Sequence, residues 1–185
     1  MGILSTFTVE PEGVTFENQE EGESIILVLR RDFITNVPWI TTTLFLLIVP
    51  LLVPLLFSFS DFFFFVSLPD TYLTVFLGLY YLIVLGYAFL NYVSWFYNVG
   101  IVTNLRVIDV DIHNFMSKNV AATSIDGIVD VEYSQAGFLQ NTFDFGNILM
   151  QTEGIKANFE FLSVPRPATV ADIISDLISE GKHKK

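Results

Sequence analysis

Side chains capable of acid–base or ligand chemistry are few in this chain: 185 residues contain two histidines, His113 and His183, and no cysteine. Without cysteine there are no disulfides, thiol nucleophiles or thiolate metal sites. His113 lies beside Asn114 at the end of a strand-like segment, where a turn accounts for it better than proton transfer does. Gly-x-Ser-x-Gly, phosphate-loop, dinucleotide and HExxH patterns are all missing. Four acids, Asp109, Asp111, Asp130 and Glu132, alternate with apolar residues in RVIDVDI and VDVEY. On neighbouring strands they would share a face suited to a hard cation, although solvated outward faces are the commoner use of such acids. The expectation is therefore a non-enzymatic chain with no catalytic residue, no metal and no cofactor. Arg106 and Lys118 are the basic residues near the first strand pair and are the candidates for ligand or partner contact.

The elements that position these residues follow from composition. Hydrophobic residues make up 52% of the chain, aromatics 15% and charged residues only 16%, against about 25% charged in soluble domains. A membrane protein is indicated, and the net charge of -11 argues against nucleic acid. No charged side chain occurs from Phe33 to Ser60 or from Thr71 to Leu105. Each run exceeds the roughly 20 residues needed to cross a bilayer. The reading is a transmembrane hairpin over 37–97, with helices at about 37–59 and 72–95. Neither run has the position or cleavage site of a signal peptide. Arg30 and Arg31 precede the first helix and Arg106 follows the second, whereas the connecting SDFFFFVSLPD has no Lys or Arg. Both termini are thus expected in the cytoplasm. Trp39 and Trp95, with Arg30 and Arg31, then anchor the cytoplasmic interface, and Phe62–Phe65 occupy the opposite one.

Within the hairpin, Pro50 and Pro54 remove backbone donors from the first helix, and neighbouring groups are expected to compensate. Gly78, Gly86 and Ala88 suggest close packing against the first helix, and Asn91 suggests an interhelical hydrogen bond. The helix cores hold no ionisable residue of the kind that marks a proton relay, ion pathway or charged-substrate transporter. MGILST fits the myristoylation pattern, but a chain with two spans gains little from an acyl chain, and so short a motif matches often by chance.

Residues 1–36 read as a cytoplasmic arm with short strands, FTV and SIILVL, around the solvated ENQEEGE. Residues 98–185 read as antiparallel strands followed by a helix. Ile108, Val110 and Ile112 form one expected inward face, as do Val129, Val131 and Tyr133. ILMQT and KANFEFL flank a turn at Glu153–Gly154, with Ala157, Phe159 and Phe161 on one face. Val170, Ile173, Ile174, Leu177 and Ile178 then follow helical spacing in a helix at about 169–180. Thr169 and Asp172 resemble a capping pair, and Gly181 is the natural terminator.

Several segments together resemble the bacterial pleckstrin-homology-like family, specifically its membrane-anchored YdbS/YdbT type. They are the Glu-x-I-I-L-V-L-R-R stretch from Glu23, T-N-x-R-V-I at Thr103–Ile108, Gly-Phe-Leu at Gly137, F-G-N-I at Phe145–Ile148 and the lead through Pro165 and Pro167 into the last helix. The resemblance implies a PH-like antiparallel barrel of about seven strands capped by a C-terminal helix, on the cytoplasmic side of a prokaryotic membrane. Residues 98–185 carry eleven acids against seven bases, a balance of -4, which disfavours anionic lipid and makes phosphoinositide binding unexpected. The basic tail Lys182–Lys185 suits a helix C-terminus. The functional expectation is an interaction module that binds a protein partner or self-associates at the cytoplasmic membrane face. A lipid-sensing module is the alternative, and a subunit of a membrane enzyme or transporter is a third reading.

Overall fold

The computed structural model describes residues 5–11, 13–16, 19–57, 69–113, 117–153 and 159–183. The interface run Phe62–Phe65, the MGILST start up to Leu4, Gly154, Ala157 and the last two lysines lie outside them. The chain divides into two compact units, residues 36–93 and residues 1–35 with 94–185.

The first unit is helical. α1 (Val37–Phe57) has 21 residues and α2 (Asp70–Tyr97) has 28. At ~1.5 Å per residue these span about 31 and 42 Å, and both are long and apolar enough to cross a membrane. Their large side chains point outward: Phe45, Leu51, Phe76 and Ile83 are all exposed. Pro50 has no N–H to give the carbonyl of Leu46 one turn earlier, and the Tyr80 hydroxyl donates to that carbonyl instead at 2.7 Å. The expected compensation is therefore interhelical and comes from α2. Asn91, by contrast, donates back to Tyr87 O of its own helix at 2.8 Å, so it does not join the two helices. Gly78 and Gly86 also depart from expectation. A Cβ at either would meet nothing within 4 Å, so neither permits a close approach.

Among its described residues the second unit contains eight strands and two helices of its own. The strands β1 (Phe7–Val9), β2 (Ile25–Arg30), β3 (Val99–Thr103), β4 (Arg106–His113) and β5 (Ser117–Ser124) form one antiparallel sheet in sequence order. β6 (Ile128–Ser134), β7 (Phe145–Thr152) and β8 (Phe159–Pro165) form a second. α3 (Gly137–Phe143) connects β6 to β7, and α4 (Pro167–His183) closes the chain. These ladders make two antiparallel sheets, one of five strands and one of three. Strands of the arm belong to the same sheet as the C-terminal strands. β2 pairs with β3 from Ile25↔Thr103 to Arg30↔Val99, so the helical hairpin is inserted between two hydrogen-bonded neighbours.

The core lies between the sheets and α4, where Leu27, Leu29, Val102, Val107, Ile148, Met150, Val170 and Ile174 have no exposed surface. Two expected faces are corrected. On β4 it is Val107 that enters this core, and period two puts Asp109 and Asp111 on its side, while Ile108 is buried on the other face. On β6 a register shift between Ile128 and Asp130 turns Val129 outward, and Tyr133 is half exposed at the strand's far end. Phe159 and Phe161 do share an inward face. α4 begins at Pro167, a residue suited to a first helical turn, and runs through Gly181 to His183 rather than stopping there. Val170, Ile174 and Ile178 bury its apolar stripe, with Leu177 partly covered.

Candidate functional site

Two of the segments singled out in the sequence are partners in space. Glu23, which opens the Glu-x-I-I-L-V-L-R-R stretch, has a fully buried side chain in a bidentate ion pair with Arg106 of the T-N-x-R turn. Arg106 Nε lies 3.0 Å from Glu23 Oε1, and Nη2 lies 2.9 Å from Oε2. Thr103 donates its hydroxyl proton to Oε1 at 2.8 Å, and the Glu20 backbone N–H donates to Oε2 at 2.9 Å. The carboxylate thus accepts four hydrogen bonds, close to its full capacity. Thr103 Oγ1 in turn accepts from the N–H groups of Leu105 and Arg106, which shapes the turn. Asn104 bridges the same two segments, accepting from Ser24 N at 2.9 Å and donating to Gly22 O at 3.2 Å.

Burial pushes the Glu23 carboxyl upward, but the hydrogen bonds from Arg106, Glu20 N–H and Thr103 outweigh it, and its pKa lies below the ordinary 4.5. The hydrogen bond to Glu23 holds the Arg106 guanidinium above its ordinary value. Glu20 adds a looser contact at 3.8 Å, of the exposed kind that contributes little. Arg106 is therefore placed as a clamp between the arm and the β3–β4 turn. Lys118 lies on β5, paired with Ile112 on β4, and the two candidates are not brought together at one site.

The expected interface anchors divide between the units. Trp39 donates its indole N–H to Asn36 Oδ1 at 2.9 Å, at the start of α1. Trp95, Arg30 and Arg31 all belong to the unit that holds the sheets. Trp95 Nε1 donates to Arg31 O at 2.9 Å and stacks edge-on against Phe33. The Arg30 guanidinium lies 4.5 Å over the Phe96 ring. Arg31 pairs with Asp111 at 3.6 Å beside a cavity of about 70 Å³ that Asn98 and Asp109 also line. Sequence reasoning missed Glu23 and Asp111 as partners of these arginines. The chain carries no local signal for either, since 83 positions separate Glu23 from Arg106.

The four strand acids are not neighbours. Asp109 and Asp111 lie in the five-stranded sheet, and Asp130 and Glu132 lie in the three-stranded one. Among the described residues no group of three or more His, Asp or Glu is arranged to hold a metal. His113 ends β4 opposite Ser117, and His183 ends α4. The F-G-N-I segment has a packing explanation. A Cβ on Gly146 would collide with Ser134 O, and Asn147 Oδ1 accepts from Ser163 N where the β7–β8 register shifts.

A family model, that of the bacterial PH domain, matches residues 33–178. The chain belongs to the bacterial PH domain family. The match takes in the helical hairpin, β3 to β8 and most of α4, and it begins just after β2, the strand that completes the sheet beside β3. No curated protein and no solved structure matches the chain. Membership supports an interaction module, and PH-like domains are generally non-catalytic.

Proposed function

We propose that this bacterial PH domain protein, of the membrane-anchored YdbS/YdbT type, is a non-enzymatic module that binds a protein partner, or a second copy of itself, at the cytoplasmic face of the membrane. Its two apolar helices cross the bilayer with both termini inside, and its two sheets form the PH-like barrel of the family. The observation that carries the choice of a protein over a phospholipid is the Glu23–Arg106 pair. The arginine best placed to meet a headgroup phosphate is already held by a buried carboxylate. An open groove of about 600 Å³ beside it adds support: it combines Leu105 and Leu177 with the carboxylates of Glu20, Asp126 and Glu180. Such a rim opposes an anionic leaflet and suits a polypeptide.

Two experiments test the reading. Crosslinking the full chain in native membranes, followed by affinity capture and mass spectrometry, should recover a membrane-proximal protein or the chain itself. Salt-sensitive binding to anionic liposomes that vanishes on Arg106→Glu or Lys118→Glu would instead put lipid sensing first. For topology, single cysteines at Ser60 and Ser134 of this cysteine-free chain are labelled in intact cells with an impermeant maleimide. Ser60 should react and Ser134 should not; the reverse pattern overturns the orientation.

A further inference from the structure

We infer that α3 rests in the interfacial layer of the bilayer, with Phe138, Leu139 and Phe143 inserted among the lipids. The inference rests on the membrane reading above. Apolar residues on a short helix ordinarily serve the core, but here they do not. α3 buries none of its residues, and Phe138, Leu139 and Phe143 are 80%, 60% and 51% exposed. Seven residues are too few for a helix to persist by propensity, so its neighbours hold it. Gln140 accepts from Ala136 N, Gln135 donates to Asp144 Oδ1, and Asp144 closes the helix in a left-handed conformation. The polar side chains thus build the helix, which leaves its apolar ones facing outward, and no charged residue lies within Gly137–Phe143.

Its position favours lipid as the occupant. Asp32, five positions before α1 begins, donates its backbone N–H to Ser163 O at 2.7 Å. Two residues further along β8, Pro165 pairs with Phe145, which directly follows the Asp144 cap. With strands ~4.8 Å apart and ~3.3 Å per residue along them, the end of α3 lies within about 15 Å of Asp32, which leads by five positions of chain into α1. A second copy is the weaker occupant. At these exposures the three side chains offer roughly 400 Å², short of the ~800 Å² per partner of a stable interface. Three inserted side chains would not hold a free domain on a membrane, but the tether supplies the effective concentration that makes the contact persistent.

The test uses the full chain in phosphatidylcholine and phosphatidylglycerol vesicles, with an environment-sensitive fluorophore on a single cysteine. Phe138→Cys and Leu139→Cys report on α3, Asp176→Cys on exposed α4, and Leu82→Cys on α2. Quenching by a shallow spin-labelled lipid should be about threefold or more stronger at 138 and 139 than at 176, and it should persist at one copy per nanodisc. Equal, water-accessible signals at 138, 139 and 176 overturn the inference, as does protection that disappears at one copy, which would assign α3 to a second copy. The Leu82 label separates the two levels. A deep spin label that quenches Leu82 while 138 stays unquenched refutes the α3 contact alone, whereas an unquenched Leu82 refutes the membrane reading itself.

Discussion

Changing Tyr80 to Phe removes one oxygen atom and should weaken the pairing of α1 and α2. Leu46 O cannot be satisfied within α1 because Pro50 stands where its donor would be, and Tyr80 supplies the replacement at 2.7 Å. In hydrocarbon an unsatisfied carbonyl costs several kcal/mol in principle, yet measured interhelical hydrogen bonds average about 0.6 and reach about 1.7 kcal/mol. Because the proline denies this carbonyl an internal alternative, we place Tyr80→Phe at about 1–1.7 kcal/mol, the upper part of that range. The assay is SDS-driven separation of the helices in mixed micelles, read by energy transfer between labels at Leu44→Cys and Leu82→Cys, both exposed positions. Pro50→Ala returns a backbone donor to Leu46, so in that background the Tyr80→Phe loss should shrink to about 0.3 kcal/mol or less. An equal loss with and without Pro50, or no loss in either, would refute the account.

Three further outcomes are expected. A fragment starting at Asn98 should fail to fold, because it lacks β2 and with it Leu27 and Leu29, both fully buried and worth about 1.5–3 kcal/mol each; a chain joining Arg31 to Val99 by a short turn should fold, as circular dichroism and proteolysis would show. Ile174→Asp buries a carboxylate at a site with no exposed surface and should cost several kcal/mol of the ~5–15 available, while Asp176→Ala, on the exposed face, should leave the urea midpoint unchanged; equal damage from both would mean the wrong helix face. Since the Glu23 pKa is lowered on folding, its ion pair stabilises fully above the ordinary 4.5 and is lost as pH falls through the folded value. Chemical unfolding of the full chain in mild detergent should therefore show a loss below that pH which Glu23→Gln abolishes, and an identical acid profile in the variant would count against the clamp.

The hairpin was legible in the sequence because hydropathy is a one-dimensional property: a run without charge from Phe33 to Ser60 needs no partner to be recognised. The stripe of α4 was legible for a similar reason, since Val170, Ile174 and Ile178 are set by local periodicity. Alternation on β4 was visible too, but which side faced inward was not. Ile108 and Val107 are both buried, and only packing between the sheets selects Val107 for the main core. The β6 register shift likewise breaks a period that its sequence continues through Val129, Val131 and Tyr133.

By itself, then, the amino-acid sequence determined the two long apolar helices, the strand-rich segments around them and the amphipathic last helix, because each depends on neighbours a few positions away. Tertiary structure alone decided that β2 stands beside β3 across the inserted hairpin, that Glu23 takes up Arg106, that Tyr80 serves Leu46, and that α3 keeps its apolar residues outside. These outcomes depend on groups brought together from up to 83 positions apart, where geometry and competing hydrogen-bond donors, rather than local propensity, select the partner.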